Sequence, residues 1–176
     1  MAKSNTFVLL IFAVAFCIAV QACIPPYCDN QDCGSCGNAC CRLEFFFPSM
    51  ETDTLATALN STVQIGGPGG YYQARPLAEG GSGVASLKEF PVPVDYIGQA
   101  YHTSAIKHYV DTVDFTIEAS TLYDGAILKM FSISQAGGSY CDEGQNYNNI
   151  MTLVTALGLD FKTKQPDGSC PPPADN

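Results

Sequence analysis

The sequence predicts a mainly β fold: a small antiparallel barrel or sandwich with one C-terminal amphipathic helix and a disulfide-rich N-terminal loop segment. Three observations support this fold class. Short alternating or apolar runs are separated by turns in a chain with 16 Gly and 11 Pro. The 9 Tyr and 10 Phe are residue types that favour strands. Most of the 9 cysteines lie near the N-terminus.

Residues 1–22 have the three-part pattern of a cleavable secretory signal. Lys3 supplies a positive charge, residues 7–20 form an almost uninterrupted apolar run, and Ala22 ends a cleavage motif of small residues. The apolar run is shorter than the roughly 20 residues that a spanning helix needs. We therefore expect a secreted, extracellular protein with no membrane span after the signal is cleaved.

The remaining chain divides into a cysteine-rich segment, 23–41, and a β-rich domain, 42–176. Cys17 leaves with the signal, so an even number of cysteines remains. In an oxidising compartment these are expected to form disulfides, and their spacing does not determine the pairing. The cysteines are Cys23, Cys28, Cys33, Cys36, Cys40, Cys41, Cys141 and Cys170.

Short strands fill most of the β-rich domain. The predicted strands are 43–47, 62–65, 71–75, 84–87, 92–101, 104–110, 112–118 and 126–133. A short helix is predicted over 49–59, with Ser49 as its N-cap. Glycine-rich turns are predicted at 66–70 and 78–83. Strand 112–118 alternates apolar and polar residues, which predicts one solvent-facing side, whereas 126–133 is apolar on both faces and predicts a central strand.

The clearest helix is predicted over 146–157. Its apolar residues fall at helical spacing and form one stripe, namely Tyr147, Ile150, Met151, Val154 and Leu157. Asn146 is the expected N-cap and Gly158 the expected C-cap. The polar run 142–149 is accordingly interpreted as the start of this helix, in preference to a cation site.

Two parts of the domain resemble the lipocalins. Residues 70–76, Gly-Tyr-Tyr-Gln-Ala-Arg-Pro, are similar to the start of the first lipocalin strand, with a tyrosine in place of the signature tryptophan. Residues 131–134, then 147–161 and Cys170, resemble the last strand, the helix with its Gly-x-Asp end, and the terminal cysteine of that family. The resemblance implies an up-and-down barrel with a cup for a small apolar ligand, and it identifies no individual binding residue.

No pattern of catalytic residues stands out. His102 and His108, with Asp114, are a possible two-histidine, one-carboxylate metal site, but two surface or edge histidines on tyrosine-rich strands are the favoured interpretation. There is no Gly-x-Ser-x-Gly sequence, and no Lys-Ser/Thr follows the glycines of 66–70. We expect no catalytic residue, no metal and no cofactor. Asn60 begins an N-glycosylation sequon.

Charge limits the classes of partner. The net charge is −9, and it becomes −10 when Lys3 leaves with the signal. Such a surface repels nucleic acid and anionic lipid. The leading hypothesis is therefore a secreted, non-enzymatic binding protein for a small apolar ligand. Alternatives are a structural protein that interacts with extracellular matrix, wall or coat, and a secreted enzyme that uses His102 or His108.

Overall fold

A computed structural model describes residues 39–76, 83–135, 142–164 and residue 170. The predicted signal, most of the cysteine-rich segment, the loop at 78–82 and Cys141 lie outside the described residues. In the described part, no helix is long and apolar enough to cross a membrane.

The described residues form one antiparallel sheet and two helices. The strands are β1 (Cys40–Pro48), β2 (Tyr72–Ala74), β3 (Val84–Ser86), β4 (Tyr96–Thr103), β5 (Val110–Ala119), β6 (Gly125–Ser134) and β7 (Lys162–Lys164). The helices are α1 (Thr52–Gln64) and α2 (Gln145–Thr155), and a short 3-10 turn covers Pro68–Gly70. The predicted mainly β, antiparallel class is confirmed.

The strand order is β2-β4-β5-β6-β1-β7, and β3 also pairs with β4. β2 and β3 follow one another along the same edge of β4, because Ala74 lies opposite Ala100 and Val84 lies opposite Gly98. The described sheet therefore has two ends and is not closed on itself.

The core lies between one face of the sheet and the two helices. Every second residue of the long strands points to this face and is buried, as are the residues at helical spacing on α1 and α2. The largest side chains in this layer are Leu43, Phe45, Phe47, Leu55, Leu59, Phe115, Ile117, Leu128, Met130, Ile150 and Leu153. This alternation is the feature that the sequence pattern predicted.

β5 is buried on both faces, so the predicted solvent-facing side is wrong. Thr112, Asp114 and Thr116 are 2%, 7% and 1% exposed. Their cross-strand neighbours are larger, and Asp114, for example, lies between Gln99 and Phe131. Phe131 and Ile133 of β6 are buried on the same face, so the face away from the helices is also shielded from solvent there.

The helix predicted over 49–59 begins later and absorbs the strand predicted over 62–65. Ser49 has φ 52° and its N–H donates to the carbonyl of Asp124, so Ser49 ends the connection from β1 and is not a cap. Glu51 occupies the N-cap position. Val63 completes the buried stripe that Leu55 and Leu59 begin, because it follows Leu59 by one helical turn. The four-residue alternation at 62–65 was too short to distinguish the spacing of a strand from that of a helix.

The strand predicted over 104–110 is a turn between β4 and β5. The backbone carbonyl of Ser104 accepts the N–H of His108, and the hydroxyl of Ser104 accepts the N–H of Tyr109. His108 has φ 53°, which a strand does not contain. The strand predicted over 92–101 likewise begins only at Tyr96, after Pro91 and Pro93.

α2 matches the predicted helix within two residues at each end, but it is not the last element of the fold. β7 follows it and pairs with residues 44–46 of β1. Its three exposed residues, Lys-Thr-Lys, carry no apolar pattern, so the sequence did not predict it. Beyond β7, Cys170 forms a disulfide with Cys41, and their Cα atoms are 4.9 Å apart.

Gly98 provides a test of packing between strands. A Cβ at this position would overlap the ring of Phe115, its partner on β5, and would lie 3.1 Å from the carbonyl of Gly83. We expect Gly98→Ala to destabilise the protein by about 1–3 kcal/mol, because the ring cannot move without disturbing the core. Urea unfolding measures the change. Ser86→Ala, at an exposed position of β3, is the control, and an equal effect of both changes would contradict this packing.

Candidate functional site

A cluster of buried polar side chains lies between α2 and the sheet. We call it the polar cluster; it consists of Tyr72, His102, Asp111, Ser132, Asn146 and Asn149, all at most 6% exposed. The strand register builds its floor, since Tyr72 lies opposite His102 on β4 and His102 lies opposite Asp111 on β5. Their side chains therefore stand in one row on the helix-facing side of the sheet.

Asn149 is the residue of α2 that joins the helix to this row. Its side-chain nitrogen donates to Oδ2 of Asp111 at 2.8 Å and to Oγ of Ser132 at 3.2 Å. Its backbone carbonyl accepts the hydroxyl of Tyr72 at 2.7 Å. One residue of the helix thus contacts three strands, β2, β5 and β6.

Asn146 makes the corresponding contacts one turn earlier. Its side-chain oxygen accepts the hydroxyl of Ser132 at 2.6 Å, and its nitrogen donates to the carbonyl of Ala39 at 2.9 Å. Asp142 caps the helix, because its carboxylate accepts the N–H groups of Gly144 and of Asn146. The predicted interpretation of 142–149 as a helix start is confirmed, but the capping side chain is that of Asp142, and Asn146 is buried.

Burial keeps the hydroxyl of Tyr72 protonated. Desolvation raises the pKa of this phenol above its ordinary value, and the negative charge of Asp111 raises it further. A protonated hydroxyl is the form that can donate to the carbonyl of Asn149. The hydrogen bond between β2 and α2 is therefore maintained across the neutral and moderately alkaline range.

His102 is the one member of the polar cluster with reactive potential. Its Nδ1 is buried, has no hydrogen-bond partner in the part of the chain that the structure describes, and lies 3.5 Å from Oδ2 of Asp111. Its Nε2 has no hydrogen-bond partner among the described residues and retains contact with solvent. The ring packs against Tyr72 with centroids 4.9 Å apart, and against the exposed Tyr71 at 6.3 Å.

The other residues of the possible metal site lie elsewhere. His108 is exposed in the β4–β5 turn, whereas His102 is buried on β4, between β2 and β5, so the prediction of a surface or edge position is wrong for His102. Asp114 points to the face of β5 away from the helices, where Gln99 donates to it, so His102 and Asp114 lie on opposite sides of the sheet. No three His, Cys, Asp or Glu side chains converge as metal ligands in the described ranges. The arrangement of His102, His108 and Asp114 as one site is therefore wrong.

The predicted disulfides are described at three cysteines. Cys41 and Cys170 are bonded to each other, and Cys40 is also disulfide-bonded. Cys23, Cys28, Cys33, Cys36 and Cys141 lie outside the described residues. Asn60, the predicted glycosylation site, lies in α1, where it is partly exposed and its side-chain oxygen accepts Nε2 of Gln64 at 3.3 Å.

Apolar side chains are exposed at the end of the sheet where β4 passes into β5. We call this surface the hairpin end; it consists of Tyr71, Ile106, Tyr109 and Val110, which are 39–89% exposed. Backbone hydrogen bonds join these segments, from Thr103 to the carbonyl of Tyr71 and from Ser104 to that of Tyr109. His102 is adjacent to Thr103, so its solvent-facing nitrogen lies at the same end.

Comparisons with known proteins gave no identification. No protein-family model, no curated protein and no solved structure matches this chain.

The sequence identified His102 but not its partners. Asn146 and Asn149 are spaced like the apolar residues of α2, in line with Leu153, and this spacing was the available signal that both point toward the sheet. Asp111 and Ser132 became recognisable only through strand register, which places them beside residues distant in the chain.

Asn149 and its neighbour Asn148 provide a matched test of the polar cluster. Asn149→Ala removes a side-chain hydrogen-bond donor to the buried carboxylate of Asp111, and we expect a loss of about 1–3 kcal/mol in the free energy of unfolding. Asn148→Ala, at an exposed position of the same helix, has the same effect on helix propensity and is expected to be near neutral. Chemical denaturation of both variants checks this. Equal stability of the two variants would show that the cluster does not hold α2.

Proposed function

We propose that the protein is exported and acts outside the cell as a non-enzymatic binding protein for a small, mostly apolar ligand. The observation that carries this proposal is the hairpin end, where four large apolar side chains are exposed beside the solvent-facing nitrogen of His102. Soluble proteins rarely leave such groups together on the surface unless they contact something.

The combination of groups suits a ligand with an apolar body and a polar group. Tyr71 and Tyr109 offer aromatic faces, and Ile106 offers an aliphatic one. His102 Nε2 can donate or accept one hydrogen bond, which would orient the polar group. The lipocalin resemblance belongs to the same proposal, because it implies a cup for a small apolar ligand.

The disulfides support the proposed export. The Cys41–Cys170 bond and the bond at Cys40 require an oxidising compartment to persist. The secretory signal and glycosylation at Asn60 remain predictions from the sequence, and they agree with this compartment.

Titration with a hydrophobic fluorescent dye tests the binding surface. We expect saturable binding to the wild type, and at least about tenfold weaker binding by Tyr71→Ser with Ile106→Ser, because one truncation alone removes apolar contact area worth roughly 1.5–3 kcal/mol when fully buried. Extraction and mass spectrometry of co-purified lipids would identify a natural ligand.

Leu122→Ser is the control for that titration, because Leu122 is 81% exposed in the β5–β6 turn, away from the hairpin end. If the dye does not saturate the wild type, or if the control weakens binding as much as the double variant, the hairpin end is not the ligand site.

A secreted enzyme is the second candidate, and one observation favours it. Oδ2 of Asp111 lies 3.5 Å from Nδ1 of His102, on the side from which a carboxylate orients a general base, although no hydrogen bond joins the two atoms in this structure. Of the two histidines, only His102 has a carboxylate behind it in this way, because His108 is an exposed turn residue.

A hydrolase and isomerase activity screen with two variants separates these functions. If the protein is an enzyme, His102→Ala is expected to lower kcat by about a hundredfold to ten-thousandfold, and His108→Ala to leave it unchanged. Activity that persists in His102→Ala would exclude His102 as the base, and a screen without wild-type activity would favour the binding protein.

A further inference from the structure

We propose that the end of the sheet opposite the hairpin end docks a cationic, amphipathic segment of another protein. We call this surface the acidic end. Its apolar members are Phe90, Val92, Leu122 and Tyr123, and its acidic members are Glu51, Asp53, Glu89, Asp95 and Asp124. Docking here does not depend on the ligand site proposed above.

Three connections meet at the acidic end: residues 49–51, 87–95 and 120–124. The N–H of Asp95 donates to the carbonyl of Ile117, which fixes the β3–β4 connection against β5. The N–H of Ser49 donates to the carbonyl of Asp124, which joins the β1–α1 and β5–β6 connections. The ring of Tyr123 also contacts that of Phe46, with centroids 6.0 Å apart.

The apolar side chains are held in place by their backbone. Leu87 donates to the carbonyl of Asp95 at 2.7 Å and closes the loop, and Val92 donates to the carbonyl of Phe90 at 2.8 Å around Pro91. Proline fixes its own φ, so this loop loses little further freedom when a partner binds. Phe90 is nevertheless 60% exposed and Leu122 is 81% exposed, so both are accessible to a partner.

The charges around these side chains select a basic partner. The single lysine in the three connections is Lys88, which donates to Asp53 and lies over the ring of Tyr96. Thr52 donates to Asp95 at 2.6 Å. Lys88 and the hydroxyl of Tyr96 lower the pKa of the Asp53 carboxyl, so it stays ionised at neutral pH.

The acidic excess disfavours an anionic lipid surface and complements lysine and arginine. A segment with leucine-like residues on one face and basic residues on the other meets both the exposed apolar side chains and the acids. The exposed apolar side chains alone would also suit a membrane surface. The acidic side chains beside them favour a basic protein segment as the partner of the acidic end.

Binding of a synthetic amphipathic helix of leucine and lysine tests this surface, measured by fluorescence anisotropy with the full-length exported protein. We expect saturable binding that weakens at high salt, and at least about tenfold weaker binding by Phe90→Ser with Leu122→Ser. A charge variant, Glu89→Gln with Asp124→Asn, is expected to bind more weakly and to lose most of the salt dependence.

Three controls make the result specific. Ile106→Ser, at the hairpin end, should bind like the wild type, and a serine–lysine peptide should bind at least about tenfold more weakly than the leucine–lysine peptide. Vesicles of neutral phosphatidylcholine should not bind. Absence of leucine–lysine binding, unchanged binding by the Phe90/Leu122 variant, or tighter binding to vesicles would overturn the proposal. Dye binding at the hairpin end is measured separately, so the two proposals are tested independently.

Discussion

β5 lies between β4 and β6 and is buried on both faces, and the placement of the polar groups around it follows from this constraint. Burying a hydroxyl without a hydrogen-bond partner costs about 1–3 kcal/mol in proteins, and burying an ionised carboxylate without one costs far more. On the helix side, the carboxylate of Asp111 accepts the side-chain N–H of Asn149. On the other side, Gln99 donates to Asp114, and Gln135 donates to Thr112 at 2.6 Å.

The partners on the two faces come from different elements, and on the outer face the buried hydroxyl of Thr116 has no hydrogen-bond partner within the described part of the chain. On the outer face the partners come from neighbouring strands and from Arg75, which donates to Gln99. On the inner face they come from α2, so the position of the helix depends on the polar cluster. The proposed roles of His102 rest on the same geometry, because the buried row that holds α2 also directs Nε2 toward solvent.

Much of the fold followed from alternation and spacing. β5 and β6 were predicted within two residues of their observed bounds, whereas β1 begins before its predicted start and β4 begins after it. The failures came where local pattern was ambiguous or tertiary contacts decided. Residues 62–65 alternate like a strand yet complete the stripe of α1, and 104–110 contains strand-favouring residues but forms a turn around Ser104. Of the candidate site, His102 was found, whereas Asp111 and Asn149 depend on register and on helix docking that no single segment reveals.

The divided edge strand has an implication for how this fold can vary. Ala74 and Val84 are ten residues apart in the chain, yet they face Ala100 and Gly98, which are two apart on β4. Both pack against the core from the same side of the sheet, so β2 and β3 pair with β4 in the same register. The pairings of β2 and of β3 with β4 are made by the residues of the strands themselves. The position between β2 and β3 is thus where the scaffold can accept a new segment, whether through divergence or through deliberate grafting of a recognition loop.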